Sequence, residues 1–449
     1  MAEIKVKRGY NLHLAGKSDA QVVDAPFPKQ VAIRPSDLGE LKLRVLVKDG
    51  DPVQVGSPLM ELKSNPDIKF TSPAGGKVAE VRRGDRRKLL QIIINVEPNE
   101  QSVDFGTTSL PTASREQVLG KLLASGLFAK IRQHPFARMA SPTDTPKGIF
   151  VSGFSSAPMG IDLNLAVAGK GEALNAGLAA LAKLTSGRVH LSKPARGTVA
   201  PEITSATSVE SHSVSGKHPA GSAPLQAYYI DRVRAGEVIW YVDIQDVIAI
   251  GKLMQTGKIS SERIVSLAGP GIAPAHRKHY RTRAGVMVGI LLSGKLVAGE
   301  QRIISGDILT GSKIADSEPI GFFDSQITVV PEGRQREILG WLLPGLDKHS
   351  YSRTFLSALK PPSTEWQVDT NLHGGHRACI QCGFCNDVCP TEVLALPTWK
   401  AVSYGDLEEA EQLGITDCIG CGLCTYVCPS KIEIDSILEA GLAKIQKEG

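Results

Sequence analysis

"ACIQCGFCNDVCP", residues 378–390, places four cysteines within eleven positions, and "DCIGCGLCTYVCPS", residues 417–430, repeats the arrangement. Cys379, Cys382, Cys385 and Cys389 make one run and Cys418, Cys421, Cys424 and Cys428 the other, so the first 378 residues hold no cysteine and the two runs use all eight. Each run reads C-x2-C-x2-C-x3-C-P and ends on Pro390 or Pro429. A thiolate is a soft ligand, and this spacing suits iron–sulfur clusters. Zinc ribbons also use C-x2-C knuckles, but they do not call for a third cysteine two residues on followed by C-P. Disulfides fit poorly in a chain expected to face the reducing cytosol. Gly383, Gly420 and Gly422 lie inside the runs, where backbone must wrap closely around its ligand.

The doubled run resembles the two-cluster ferredoxin pattern, in which the fourth cysteine of each run serves the other cluster. The expected ligand sets are therefore crossed: Cys379, Cys382, Cys385 and Cys428 for one [4Fe–4S] cluster, and Cys418, Cys421, Cys424 and Cys389 for the other. Two clusters in one small module form an electron wire, and the remainder of the chain must say what it connects.

With 449 residues, 42% of them hydrophobic, the chain has material for three or four domains. A net charge of +5 is mild. It suits docking on an acidic partner or an anionic membrane face, and no Lys/Arg tract argues for nucleic acid. The opening "MAEIKVKRGYNLHLAG" lacks the apolar core of a signal peptide and reads as strand. The longest uncharged apolar stretch, "AGVMVGILLSG" at 284–294, stops at Lys295, well short of the ~20 residues that cross a bilayer.

Residues 43–96 alternate short apolar strands with Asp-Gly and Pro-Gly-type turns, which predicts a small all-β unit. It resembles a biotinyl/lipoyl-like barrel-sandwich hybrid. In carrier domains the modified lysine stands eight residues before the proline of the "SPAGG" turn; here that position is Asn65, so neither lipoyl nor biotin is expected. Lys63 nearby and the basic run Arg82, Arg83, Arg86, Arg87 and Lys88 read as solvated charges.

From Ser114 a capping box with Gln117 opens a helix carrying Val118, Leu119, Leu122 and Leu123 on one face. "GIFVSGF" (148–154), "GKGEALNAGLAALAKLT" (169–185) and "GRVHLS" (187–192) then alternate strand, helix, strand. Gly169-Lys170-Gly171 lacks the third glycine of a dinucleotide fingerprint, with Leu174 in its place, and reads as a helix start. The polar stretch "VAPEITSATSVESHSVSGKHPAGSAP" (199–224) reads as a long loop. "DVIAIGKLMQTGKISSERIVSLAGPG" (246–271) runs helix into strand, and the segment to about Glu332 is β-rich.

This order of parts resembles the C subunits of Rnf electron-transfer complexes and, in finer wording, the A subunits of sodium-pumping NADH:quinone oxidoreductases (Nqr). The wording is carried by "RQHPFARM" (132–139), "HPAG" (218–221), "QDVIAIGKLMQTG" (245–257), "RIVSLAGP" (263–270), "ISGDILTG" (304–311), "EILGW" (337–341) and "SRTFLS" (352–357). The resemblance spans nearly the whole chain. It implies a multidomain α+β protein with four parts. These are an unmodified lipoyl-like barrel-sandwich hybrid over 1–105, a degenerate FMN/NADH-type α/β domain over 106–255, a β-grasp, SLBB-like segment over 256–335, and a helical two-cluster ferredoxin-like module over 336–449.

Two departures bear on function. Where flavin-binding relatives carry G-x-G-G-A-G-F-P around the FMN phosphate, residues 126–136 read "GLFAKIRQHPF", with bulky side chains over 129–134. Where they carry N-G-x-E-x-E-P, residues 152–158 read "SGFSSAP" without either acid. Neither FMN nor NADH is expected on this chain. In the other direction, the Nqr relatives have mostly lost the cluster cysteines, whereas this chain keeps all eight.

The resemblance implies a cytoplasm-facing, peripheral electron-transfer subunit of a redox-driven ion-translocating NADH:quinone oxidoreductase, carrying current through two [4Fe–4S] clusters. No catalytic residue is assigned. The implied partners are integral membrane subunits and a flavin- or iron–sulfur-bearing donor or acceptor subunit, with quinone a further candidate. The alternatives are a scaffold whose clusters only stabilise the fold and an Rnf C-like subunit of an NADH or ferredoxin oxidoreductase. His373 and His376 read as loop residues. The C-terminal helix pattern Ile434, Ile437, Leu438, Leu442 and Ile445 reads as packing on its own domain.

Overall fold

The alternating pattern of residues 30–96 resolves into two facing antiparallel layers. Strands Gln30–Ile33, Leu89–Val96, Gly76–Arg83 and Pro52–Val53 form one sheet, and Leu43–Val45, Pro58–Leu62 and Asn65–Thr71 form the other. Their inward residues, among them Val31, Leu59, Phe70, Ile92 and Ile94, are buried in one core. This is a computed structural model; it describes residues 3–39, 41–334 and 339–448. Glu337 and Ile338 of "EILGW" lie outside the described residues.

The second unit is a seven-stranded sheet in the order Glu3–Val6, Glu210–Gly216, Arg188–Pro194, Gly148–Ser152, Ile239–Asp243, Arg132–His134, Arg138–Met139. The first five strands are parallel and the last two antiparallel. On one face, helices Gly171–Ala182 and Ile244–Thr256 cross so closely that a Cβ on Gly251 would sit 1.7 Å from the Ala173 carbonyl oxygen. Neither helix tolerates a side chain there. The expected capping box is present: the Ser114 hydroxyl accepts from the Gln117 N–H and the Gln117 side chain accepts from the Ser114 N–H.

The expected loop at 199–224 is largely ordered otherwise. It contains helix Pro201–Thr204, strand Glu210–Gly216 and the start of helix Ala223–Ile230. Within that strand only Val214 is buried, so the residues themselves carry almost no strand pattern. Pairing with strands on both sides, one of them the N-terminal strand, holds it in the sheet.

The third unit is a six-stranded sheet, ordered Ser312–Ile314, Gln301–Ser305, Gln326–Pro331, Glu262–Ala268, His279–Arg283, Val22–Asp24. The apolar run 284–294 folds here as the short helix Val288–Leu292 with Val286, Val288 and Leu291 fully buried. Among the described residues no helix is long and apolar enough to cross a membrane.

Residues 3–24 thus leave the sandwich. Glu3–Val6 completes the second unit and Val22–Asp24 the third, while Leu12 and Leu14 pack with Trp366, Leu423 and Val427 of the C-terminal region. That region is helical: Phe384–Val388, Ala395–Tyr404, Leu407–Gln412, Leu423–Tyr426 and Ile434–Glu448. The last helix packs inward through Ile434, Leu438 and Ile445 on Val402, Ala410 and Ile415. The module also leans on the second unit, where the Tyr229 hydroxyl donates to the Pro390 carbonyl (3.2 Å) and Arg232 pairs with Asp417.

Candidate functional site

Each cysteine run turns on a glycine in the left-handed region. Gly383 (φ 78°) and Gly422 (φ 72°) stand immediately before short helices that begin at Phe384 and Leu423, a backbone shape that disfavours any side chain. Gly422 also lies against another unit, since a Cβ there would approach the Leu309 carbonyl oxygen at 2.6 Å.

Cys379, Cys382 and Cys385 line one cavity, and the fourth sulfur in its wall belongs to the other run: Cys428. Leu396, Trp399 and Ile434 supply apolar walls. The crossover is pinned by backbone, because the Arg377 N–H donates to the Ser430 carbonyl (2.8 Å) and the Ser430 hydroxyl donates to the Ala378 carbonyl (2.8 Å). In return, Cys389 lies within electrostatic reach of Cys418, Cys421 and Cys424.

Burial pushes the Cys385 thiol up to about 11 and Cys418 to about 12, and raises Cys421 and Cys424 further, with neighbouring sulfurs adding to the rise. Four thiolates gathered in apolar surroundings repel one another and lack solvation, so the ionised set needs a cationic core. The donors are sulfur alone. Such a set fits iron–sulfur chemistry. Access is uneven within the first set, where Cys385 and Cys428 are buried but Cys382 is exposed beside Ile380, itself 67% exposed; Cys389, Cys418, Cys421 and Cys424 are all half-buried. His373 and His376 are exposed loop residues.

A cleft with about 90 Å³ of room for water opens where the first three units meet, lined in part by Phe70, Lys130, Asp246, Arg263, Phe322 and Asp324. Residues 129–134 are packed inward beside it. Ala129 is buried in the sandwich core, and Lys130 lies 3.5 Å from the Phe322 ring centroid and donates to the Phe322 carbonyl. Arg132 lies over the Tyr241 and Phe323 rings at 4.7 and 4.8 Å. Burial lowers the Lys130 ammonium to about 8, against the pull of Asp246. Burial also opposes the Arg263 charge, but Asp246, 2.5 Å away, and Asp243 more than offset it.

Sequence reading marks the bulky stretch 129–134, which contains Lys130 and Arg132, but misses Asp246, Arg263 and Asp324. The available signal is a charge inside an apolar run: Arg263 in "RIVSLA" and Asp246 in "DVIAI". The stretch 152–158 closes on itself and its neighbours, with the Gly153 N–H donating to Ser192 (2.7 Å) and the Ser156 hydroxyl accepting from the Gly221 N–H (2.8 Å). In the sandwich, Lys63 and Ser64 form the hairpin tip and Asn65 begins the returning strand.

Comparison with known proteins covers most of the chain. Residues 4–97 match the NqrA N-terminal barrel-sandwich hybrid domain, 113–259 the NqrA second alpha/beta domain, 264–316 the NQRA C-terminal domain, and 378–432 a 4Fe-4S dicluster domain. The chain is 36% identical to the NqrA protein of the Na(+)-translocating NADH-quinone reductase of Yersinia pestis bv. Antiqua (strain Angola), over 99% of this chain and 100% of that protein. The corresponding protein of Tolumonas auensis is likewise 36% identical, and that of Pasteurella multocida 35%, each over 99% of this chain and 100% of the relative.

Proposed function

The chain belongs to the NqrA family of Na(+)-translocating NADH-quinone reductase subunits, and from that premise we propose that it is the cytoplasm-facing peripheral subunit of such a complex, relaying electrons through two [4Fe–4S] clusters. The single observation that carries the reading is the entry of Cys428 into the cavity of Cys379, Cys382 and Cys385. With Cys389 among the other three, all eight thiolates divide into two sets of four. When bound, such clusters supply reversible one-electron transfer.

The residues of this chain then have distinct tasks. Cys379, Cys382, Cys385 and Cys428 hold one group, reached from outside at Cys382; Cys418, Cys421, Cys424 and Cys389 hold the other. Leu396, Trp399 and Ile434 exclude water from the first set. The exposed rim at Ile380 and Cys382 is suited to close approach by a redox partner. Integral subunits of the complex provide the membrane attachment, and a flavin- or iron–sulfur-bearing subunit exchanges electrons with this one. Neither a hydride site nor lipoyl or biotin attachment is part of the proposal. Lys130, Arg132 and Ile131 fill the region where a flavin phosphate needs bare backbone.

Anaerobic purification followed by metal and sulfide analysis tests this. About eight iron and eight acid-labile sulfide per chain are expected. Stoichiometric zinc without sulfide would overturn the reading.

A further inference from the structure

A second group of metal-ligating side chains lies in the seven-stranded sheet and contains no sulfur. His190 and Glu210 face each other across the parallel strands Arg188–Pro194 and Glu210–Gly216. His212, two residues beyond Glu210, projects from the same face of the sheet. His190 Nδ1 lies 3.0 Å from His212 Nε2, which lies 4.0 Å from a Glu210 carboxylate oxygen, and one donor atom from each residue fits within 4.8 Å of the others. We propose that His190, Glu210 and His212 form a binding site for a divalent transition-metal ion of the Zn2+ class, with the fourth position open to water or an external ligand.

The geometry supports this on three counts. First, two imidazole nitrogens sharing one tetrahedral ion at about 2.0–2.1 Å lie roughly 3.3–3.4 Å apart, so the two rings need to part by only a few tenths of an ångström. Second, the His190 ring is already oriented, stacked on Phe150 at 4.5 Å between centroids and 13° between planes. Third, the carboxylate is the adjustable member. Glu210 is now turned toward Arg188, 3.2 Å away, and their side chains are 40% and 75% exposed, so this pair holds it only weakly.

Two imidazoles and one carboxylate favour zinc or a neighbouring first-row ion over magnesium or calcium, which take oxygen donors in larger number. A bound ion would tie together two adjacent strands, one of which also carries the N-terminal strand.

The test uses the full chain with its clusters assembled anaerobically, so that the cysteines are occupied, titrated calorimetrically with ZnCl2. One equivalent should bind to the wild type. His212→Ala and, separately, Glu210→Gln should each weaken it at least about tenfold. Arg188→Ala should tighten binding by releasing Glu210. Glu210 is partly exposed, so its variant reports even if the histidine variant folds poorly; retained cluster absorbance confirms the fold of each. No binding by the wild type, equal affinity in the Glu210 and His212 variants, or weakened binding in Arg188→Ala overturns the proposal.

Discussion

His349 Nδ1 lies 2.6 Å from the Tyr426 hydroxyl, and the opposite nitrogen of the same ring lies 2.9 Å from the Tyr10 hydroxyl. Burial keeps the ring below its usual pKa, so it is neutral, with one nitrogen donating and the other accepting. One imidazole therefore joins the N-terminal segment to the short helix that follows Cys421 and carries Cys424. His349→Ala should loosen this junction by about 1–3 kcal/mol. Faster amide exchange at residues 10–15 and 423–427, with unchanged exchange in the sandwich core, is the expected result.

Replacing Cys428 by serine tests the crossed arrangement. Although Cys428 ends the second run, its cavity is that of Cys379, Cys382 and Cys385, so the variant should lose or alter the cluster held by the upstream residues. EPR of the reduced chain distinguishes the outcomes: a change confined to the cluster of Cys418, Cys421 and Cys424 means that the sets are not crossed.

A pH dependence follows from His134. Burial holds its ring at about 4, from an ordinary value of 6.5. The folded chain thus binds fewer protons than the unfolded one between these values. The stability associated with the neutral ring is present above about pH 6.5 and is lost as pH falls toward 4, by about 3 kcal/mol in all. His134→Gln, which cannot titrate, should flatten the melting temperature against pH in that window. An unchanged acid limb would show that other groups set it.

At the crossing of Gly171–Ala182 with Ile244–Thr256, Gly251→Ala should cost about 1–3 kcal/mol or more, because the added methyl meets backbone and not a movable side chain. Gly120→Ala is the control, as nothing lies within 4 Å of its position. A melting temperature for Gly251→Ala equal to that of the control would mean that the helices separate freely.

The isolated chain should bind neither FMN nor NADH with useful affinity, since Lys130 and Arg132 are committed to the Phe322, Phe323 and Tyr241 rings. Calorimetric titration checks this. Micromolar NADH binding would return the chain to the dehydrogenases.

The legible parts of this protein are those in which chemistry or periodicity is local. The spacing within each cysteine run, the Ser114–Gln117 box and the apolar periodicity of the helix 244–256 are all read from residues a few positions apart. Glu210–Gly216 reads as loop because its three serines and one histidine fail the strand pattern, and its neighbours come from residues 3–6 and 188–194. The same distance hides His190 from His212: one stands in a recognisable strand, the other in the expected loop. Lys130, in contrast, is visible in the sequence alone, as a bulky residue within a stretch where a phosphate cradle would need bare backbone.

The thread formed by residues 3–24 bears on the order in which the molecule is assembled. Glu3 pairs with Ser213, Val22 with His279, and Leu14 bridges to Trp366. Residues 3–24 therefore have no seat until residues more than 200 positions later have left the ribosome, and their last contacts await the cluster module. Closing such long loops is slow. Glu3–Val6 and Val22–Asp24 each fill the edge of a sheet, so both edges stay open to wrong strand partners until those two strands dock.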